Sequence, residues 1–215
     1  MPSEFEIIRR YFARPPRSAS LGVGDDAALL RPRAGTELAV STDMLVEGRH
    51  FRAGADARKL GHKSLAVNLS DLAAMGATPR WATLALSLPD ADEAWISAFA
   101  EGFFALAGRF ATELIGGDTV RGPRSICICI LGEVPEDRAL RRDGARVGDD
   151  IWVSGELGGA ALALARPGID ESDRRLDQPE PQVALGQRLL GHASAAIDVS
   201  DGFAQDLAHI LERSG

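Results

Sequence analysis

The stretch GHKSLAVNLSDLAAMG, residues 61–76, constrains the fold of this chain more than any other. Asp56 is a good N-cap and Gly76 a good stop, so the spacing predicts a helix from Asp56 to Met75. At 100° per residue, Ser64, Asn68 and Asp71 fall within roughly 60° of one another. Nearly all the remaining circumference is apolar: Leu65, Ala66, Val67, Leu69, Leu72, Ala73, Ala74 and Met75. A helix apolar almost all round is buried. A buried carboxylate needs a partner, so the narrow polar stripe faces a cation or a hydrogen-bonded site. The alternative is a stripe turned to solvent at a domain edge.

The elements around this helix read as α+β architecture. Residues 4–13 form a short amphipathic helix stopped by Pro15 and Pro16, and TELAVSTDML a strand running into a loop. RWATLALSL is a strand, 92–111 a helix, ELIGGDT a short strand ending in a glycine turn, and RSICICILGEVP a further strand. Polar, charged sequence marks a boundary around residues 136–148, which gives units of 1–137 and 138–215. The second unit reads as strand DIWVSG, glycine-rich turn GELGG, a helix through Leu164, a loop over 167–181, strand AAIDVSDG and helix FAQDLAHILERSG. The GELGGA turn suits helix–strand packing better than a phosphate cradle.

Carboxylates recur in one context, at the end of an apolar segment beside Gly, Ser or Thr. They are Asp25 and Asp26 in GVGDDA, Asp43 in STDML, Asp71 in NLSDLAAMG, Asp118 in GGDT, and Asp198 with Asp201 in IDVSDG. Each alone is ordinary turn chemistry. Together they suit Mg²⁺, which takes carboxylate, hydroxyl and water oxygens, usually along with substrate phosphates. In an extended chain Ser41 and Asp43 share a face and Thr42 points away. His50 follows beside Arg49, a position that is most often structural or exposed for a lone histidine. Phe110 precedes ELIGGDT and reads as core, with stacking on a base as the alternative.

The net charge of −7 argues against nonspecific nucleic-acid binding. No apolar run approaches the roughly 18–20 residues of a membrane helix, and MPSEFEIIRRYFARPP lacks a secretory h-region, so the cytoplasm is the expected setting. Cys127 and Cys129 lie two positions apart on a strand, poorly placed to bridge each other, and read as small core hydrophobes. There is no G-x-x-x-x-G-K-[ST] loop, which argues against a P-loop kinase.

GVGDDAALL, STDMLVEGRHF, AVNLSDLAAMGATPRW, LIGGDTVRG and IDVSDGFAQDLAHI, in that order, resemble the thiamine-monophosphate kinase family. That family lies within the ATP-binding superfamily of aminoimidazole ribonucleotide synthetase and selenophosphate synthetase. The resemblance implies a two-layer α/β N-terminal domain of the synthetase type, a second α/β domain here incomplete, and a homodimer through the first. It implies ATP between the domains, several Mg²⁺ ions, and direct in-line transfer of phosphate to thiamine monophosphate, giving thiamine diphosphate. The acceptor phosphate is already anionic, so no general base or covalent residue is expected. Carried over position by position, Asp26, Ser41, Thr42, Asp43, Asp71, Asp118, Asp198 and Asp201 are implied metal ligands. Gly117, Asp118, Arg142 and Ser200 are implied ATP contacts, and His50 a contact to the thiamine phosphate. Asp25 is expected to orient Asp26 or cap its turn. Family members usually continue beyond the SDGFAQDLAHI helix, so a C-terminally truncated form is expected, with the thiamine-ring contacts reduced. A noncatalytic nucleotide-binding homodimer and another ATP-dependent enzyme of the superfamily are the alternatives. Residues 1–20 hold neither the Cys nor the Lys expected of a selenophosphate synthetase.

Overall fold

Alternation along SICICI decides which face of the sheet is covered: Ile126, Ile128 and Ile130 are buried, whereas Cys127 and Cys129 between them are only partly so. The computed structural model describes residues 3–168 and 170–215. Its sheet comprises β1 (Thr36–Val46), β2 (Thr78–Leu88), β3 (Glu113–Arg121) and β4 (Ser125–Pro135), in the order β1-β4-β2-β3. β4 runs antiparallel to β1 and β2, and β2 pairs parallel with β3. Such a parallel pair needs a crossover, which α3 (Glu93–Arg109) provides. The α+β, two-layer expectation is met.

The core forms between the sheet and two helices. α2 (Ala57–Ala74) is capped by Asp56, whose carboxylate accepts the Lys59 N–H at 2.9 Å. It presents Leu65, Leu69 and Leu72; α3 presents Ile96, Phe99, Phe103 and Leu106; the sheet presents Leu84, Leu86, Ile126, Ile128 and Ile130. Each such side chain stabilises the fold by about 1.5–3 kcal/mol through burial. The two helices cross at glycines. A Cβ on Gly61 would lie 2.0 Å from the Phe99 carbonyl oxygen, and one on Gly102 would lie 1.9 Å from that of Arg58. Helix α1 (Glu4–Ile7) continues as a π-helical turn, Ile8–Phe12, and buries Ile7 and Phe12 in the same core.

The opposite sheet face is open. Val40 and Met44 of β1 are 58% and 56% exposed, and Leu38 and Val120 are exposed as well. Cys129 stands opposite Thr42, and Cys127 opposite Met44, on this same face. The cysteines are therefore not core residues as expected, because the register assigns the helix-covered face to the isoleucines.

The carboxyl-terminal part differs from its expected form. DIWVSG and AAIDVSDG are not strands, since neither has a ladder partner among the described residues and Trp152 is 87% exposed. The expected loop over 167–181 contains α5 (Asp170–Asp177). The other helices here are α4 (Gly159–Ala165), α6 (Val183–Leu189) and α7 (Phe203–Ser214). α6 docks on the first part: Val183 joins the core, and Gln187 donates to the Thr78 hydroxyl at 3.0 Å. Two strand ends also differ. β1 passes through Asp43 without a loop, and β3 passes through Gly116 and Gly117 because its ladder with β2 continues to Arg121. Among the described residues no helix is long and apolar enough to cross a membrane.

Candidate functional site

Strand and helix periodicity together build the centre of the site. On β1, Ser41 and Asp43 share the face of Leu45, whereas Thr42 is exposed on the open face. On α2 the polar stripe turns Asp71 toward that strand, and Ser41 Oγ donates to Asp71 Oδ2 at 2.5 Å. Ser64 and Asn68, the rest of the stripe, bond within the helix, but Asn68 only in part, because its Oδ1 is buried with no hydrogen-bond partner. Ser64 Oγ donates to the Gly61 carbonyl at 3.0 Å, and Asn68 Nδ2 donates to the Ser64 carbonyl at 2.9 Å. The carboxyl-terminal part adds Asp198, whose Oδ2 accepts the Ser70 hydroxyl at 3.1 Å.

These three aspartates feel one another. Burial pushes the Asp43 carboxyl up and the Asp198 charge pushes it further, against a pull from His50. Burial also raises Asp71; the Ser41 hydrogen bond and Arg142 hold it down, and Asp43 adds to the rise. Asp198 is raised by burial and by Asp71 and Asp206, against Ser70 and Arg142. Half-buried carboxylates that repel and lack a full set of donors are disposed to share a cation. An all-oxygen set of this kind suits a hard cation such as Mg²⁺. As they stand, no three His, Cys, Asp or Glu side chains among the described residues converge closely enough to hold an ion together.

Hydrogen bonds thus join Ser41 to Asp71 and Ser70 to Asp198, and Asp43 and Arg142 act on these carboxylates electrostatically. Other expected site residues have different surroundings. Asp26 is exposed, and Asp25 Oδ1 accepts its N–H at 2.9 Å. Asp118 is exposed on β3 and accepts the Thr119 N–H at 2.8 Å. β4 and β2 lie between β1 and β3, so Asp43 and Asp118 sit three strand spacings apart, about 14 Å. Gly117 has a packing reason of its own, since a Cβ there would fall 1.8 Å from the Leu84 carbonyl oxygen. Phe110 is partly buried against the core, with the Arg109 guanidinium over its ring at 5.5 Å from the centroid.

His50 is exposed, and its Nδ1 accepts the Val46 N–H at 3.0 Å, which leaves Nε2 as the free ring nitrogen. A cavity of about 210 Å³ opens beside it, lined by Arg52, Lys63, Leu164 and Leu176 among others. Lys63 Nζ donates to the His50 carbonyl at 3.3 Å. Burial lowers the Lys63 pKa, against the pull of Asp177. Sequence reasoning missed Lys63 and Ser70, although a spacing of seven puts them on one face of α2. It also missed Asp206, which is buried and accepts the N–H groups of Ser200, Asp201 and Gly202. An acidic residue in the first turn after an S-D-G loop was the available signal.

Comparisons with known proteins bear on this arrangement. Residues 24–134 match the model of the AIR synthase related protein N-terminal domain. A thiamine-monophosphate kinase of Salmonella typhimurium is 49% identical over 99% of this chain and 69% of its own length. That of Escherichia coli is 47% identical over 98% of this chain and 69% of its own length. The crystal structure of thiamine-monophosphate kinase from Stenotrophomonas maltophilia superposes with a TM-score of 0.86 at 52% identity, covering 97% of this chain and 70% of that one. A structure described as AaThiL complexed with AMPPCP and TMP has a TM-score of 0.78 at 31% identity, covering 86% of this chain and 62% of that one.

Proposed function

The chain belongs to the thiamine-monophosphate kinase family, and we propose that it catalyses ATP-dependent phosphorylation of thiamine monophosphate to thiamine diphosphate by direct in-line transfer assisted by Mg²⁺. One arrangement carries this reading: Ser41 ties Asp71 to the face of β1 that bears Asp43, and Ser70, the neighbour of Asp71, holds Asp198 from the segment before α7. The residues that would hold Mg²⁺ are Asp43, Asp71 and Asp198, with Ser41 and Ser70 orienting two of the carboxylates. When bound, Mg²⁺ neutralises the two phosphate-bearing substrates and lets them approach.

The remaining work falls to the chain. Ser41 fixes the Asp71 carboxylate and Ser70 the Asp198 carboxylate in the free chain, so less ordering is left for substrate to impose. Arg142 brings a guanidinium to the same carboxylates, where a phosphate oxygen of ATP can accept from it. His50 exposes Nε2, and Lys63 adds a cation to the neighbouring cavity, which suits an anionic acceptor. The acceptor oxygen carries its own negative charge, so no side chain has to remove a proton from it.

The proposed assembly is a homodimer through the open sheet face. Leu38, Val40, Met44 and Val120 form an apolar surface there, and such surfaces are normally covered. Thr42 and Asp118 lie on this face too. A second copy docked on this face would meet both residues there. Sedimentation tests the assembly: Met44→Asp should convert a dimer into a monomer, and a wild-type monomer at micromolar concentration would refute it. Incubation with ATP, Mg²⁺ and thiamine monophosphate tests the reaction. Thiamine diphosphate should form with wild type, and its absence would overturn the kinase reading.

A further inference from the structure

Asp206 is the one buried carboxylate of the carboxyl-terminal part among the residues whose side chains are described, at 3% exposure. Its Oδ2 accepts three backbone N–H groups, from Ser200 at 2.9 Å, Asp201 at 3.2 Å and Gly202 at 3.1 Å. Its position is unusual for a helix cap. The N-cap of α7 is Gly202, which has no side chain to offer, and Asp206 reaches back from one turn inside the helix. All three of its donors precede Phe203, the first residue of α7, so the carboxylate organises the loop more than the helix. That loop has little else to hold it: Val199, Ser200, Asp201 and Gly202 are all exposed, and Gly202 adopts φ 122°.

We propose that Asp206 is a positioning residue for the nucleotide and metal site, acting by fixing the loop that carries Ser200 and Asp201. The inference rests on the kinase reading for what the loop binds, but not for how it is held. Successive N–H groups turned to one side make an anion-binding concavity. Here the chain fills that concavity with its own anion. The backbone of SDG is thereby engaged internally, and Ser200 meets the nucleotide through its hydroxyl. Asp201 is then presented with its carboxylate outward, where it is exposed.

Asp206→Asn and Asp206→Ala, studied by hydrogen exchange and by ATP titration at a series of Mg²⁺ concentrations, test this. Without ligand, the amides of residues 200–202 should exchange at least ten-fold faster in both variants, while those of β2 and β4 keep their wild-type rates. The Mg²⁺ concentration for half-maximal ATP binding should rise about ten-fold, the scale on which partners of metal ligands act. A fold defect alone would lower the binding-competent fraction without moving that midpoint. Unchanged exchange at 200–202, or an unchanged Mg²⁺ midpoint in a folded variant, would overturn the proposal. So would loss of protection throughout β2 and β4, which would make Asp206 a general determinant of the fold. If wild type itself binds no ATP with Mg²⁺, the kinase reading fails, and the exchange result still decides whether Asp206 holds the loop.

Discussion

The sheet part of the molecule, residues 36–135, and the part that follows it contribute aspartates to one cluster by different means. Asp43 stands on a strand whose ladder with β4 runs unbroken from Thr36 to Val46, and Asp71 on a helix whose Leu65 and Leu69 are fully buried. Packing therefore sets their positions before any ligand arrives. Asp198 and Asp201 sit instead on a segment with no strand and few buried side chains, tethered by Ser70 and Asp206. The contrast teaches that half of the site is preorganised and half is held by a few hydrogen bonds. The half with fewer restraints is the one able to move when substrate enters.

Hydrogen exchange gives the largest expected contrast. Amides in β2 and β4 should exchange at least about a thousand-fold more slowly than those of residues 147–153, because only the former require near-global opening. Equal rates would erase the distinction between the two parts. Next in size is Asp71→Asn, which should lower phosphoryl transfer about a hundred-fold or more, since a neutral amide cannot replace the carboxylate charge. The variant should stay folded, as measured by circular dichroism, because Ser41 can still donate to the amide oxygen. Full activity would remove Asp71 from the metal site.

Truncations then compare the two parts by stability. Leu69→Ala should cost about 2–5 kcal/mol in urea unfolding, from lost burial and the cavity left behind. Trp152→Ala, at an exposed position, should stay within about 0.5 kcal/mol. A large effect at Trp152 would show that its segment is packed.

The smallest effect concerns pH, and its sign differs between site and scaffold. Asp43, Asp71 and Asp198 have folded-state pKa values raised above 3.8. Each favours folding below its unfolded pKa and loses that contribution as pH rises through the raised folded value. Asp71→Asn should therefore be more stable than wild type at neutral pH, with the gain shrinking as pH falls. Glu133 behaves oppositely. Burial pushes it up, but the Arg33 N–H at 2.9 Å, the Arg33 guanidinium at 2.6 Å and the Arg80 charge outweigh this and leave it below 4.5. Its contribution is present above pH 4.5 and lost as pH falls through the lowered folded value. Glu133→Gln should be less stable at neutral pH, by the order of 1 kcal/mol, with the difference vanishing in acid. Unfolding at a series of pH values distinguishes the two signs.

Much of this was legible along the chain. The bounds of α2, its cap at Asp56, and the shared face of Ser41 and Asp43 follow from period and local chemistry, which need no knowledge of distant residues. The apolar circumference of α2 also pointed to a buried helix carrying Asp71 on a narrow polar stripe, with a stripe turned to solvent as the alternative. Tertiary structure alone decided which strands exist and what meets what. DIWVSG and AAIDVSDG carry strand-like composition, yet a strand requires a neighbour to satisfy its ladder, and no local pattern names that neighbour. The cysteines alternate correctly, but the covered face depends on where α2 and α3 lie. Asp118 belongs to a plausible ligand set, and only the strand order reveals that β4 and β2 separate it from Asp43 within one chain. Periodicity is a property of a segment, whereas pairing and distance belong to the whole chain.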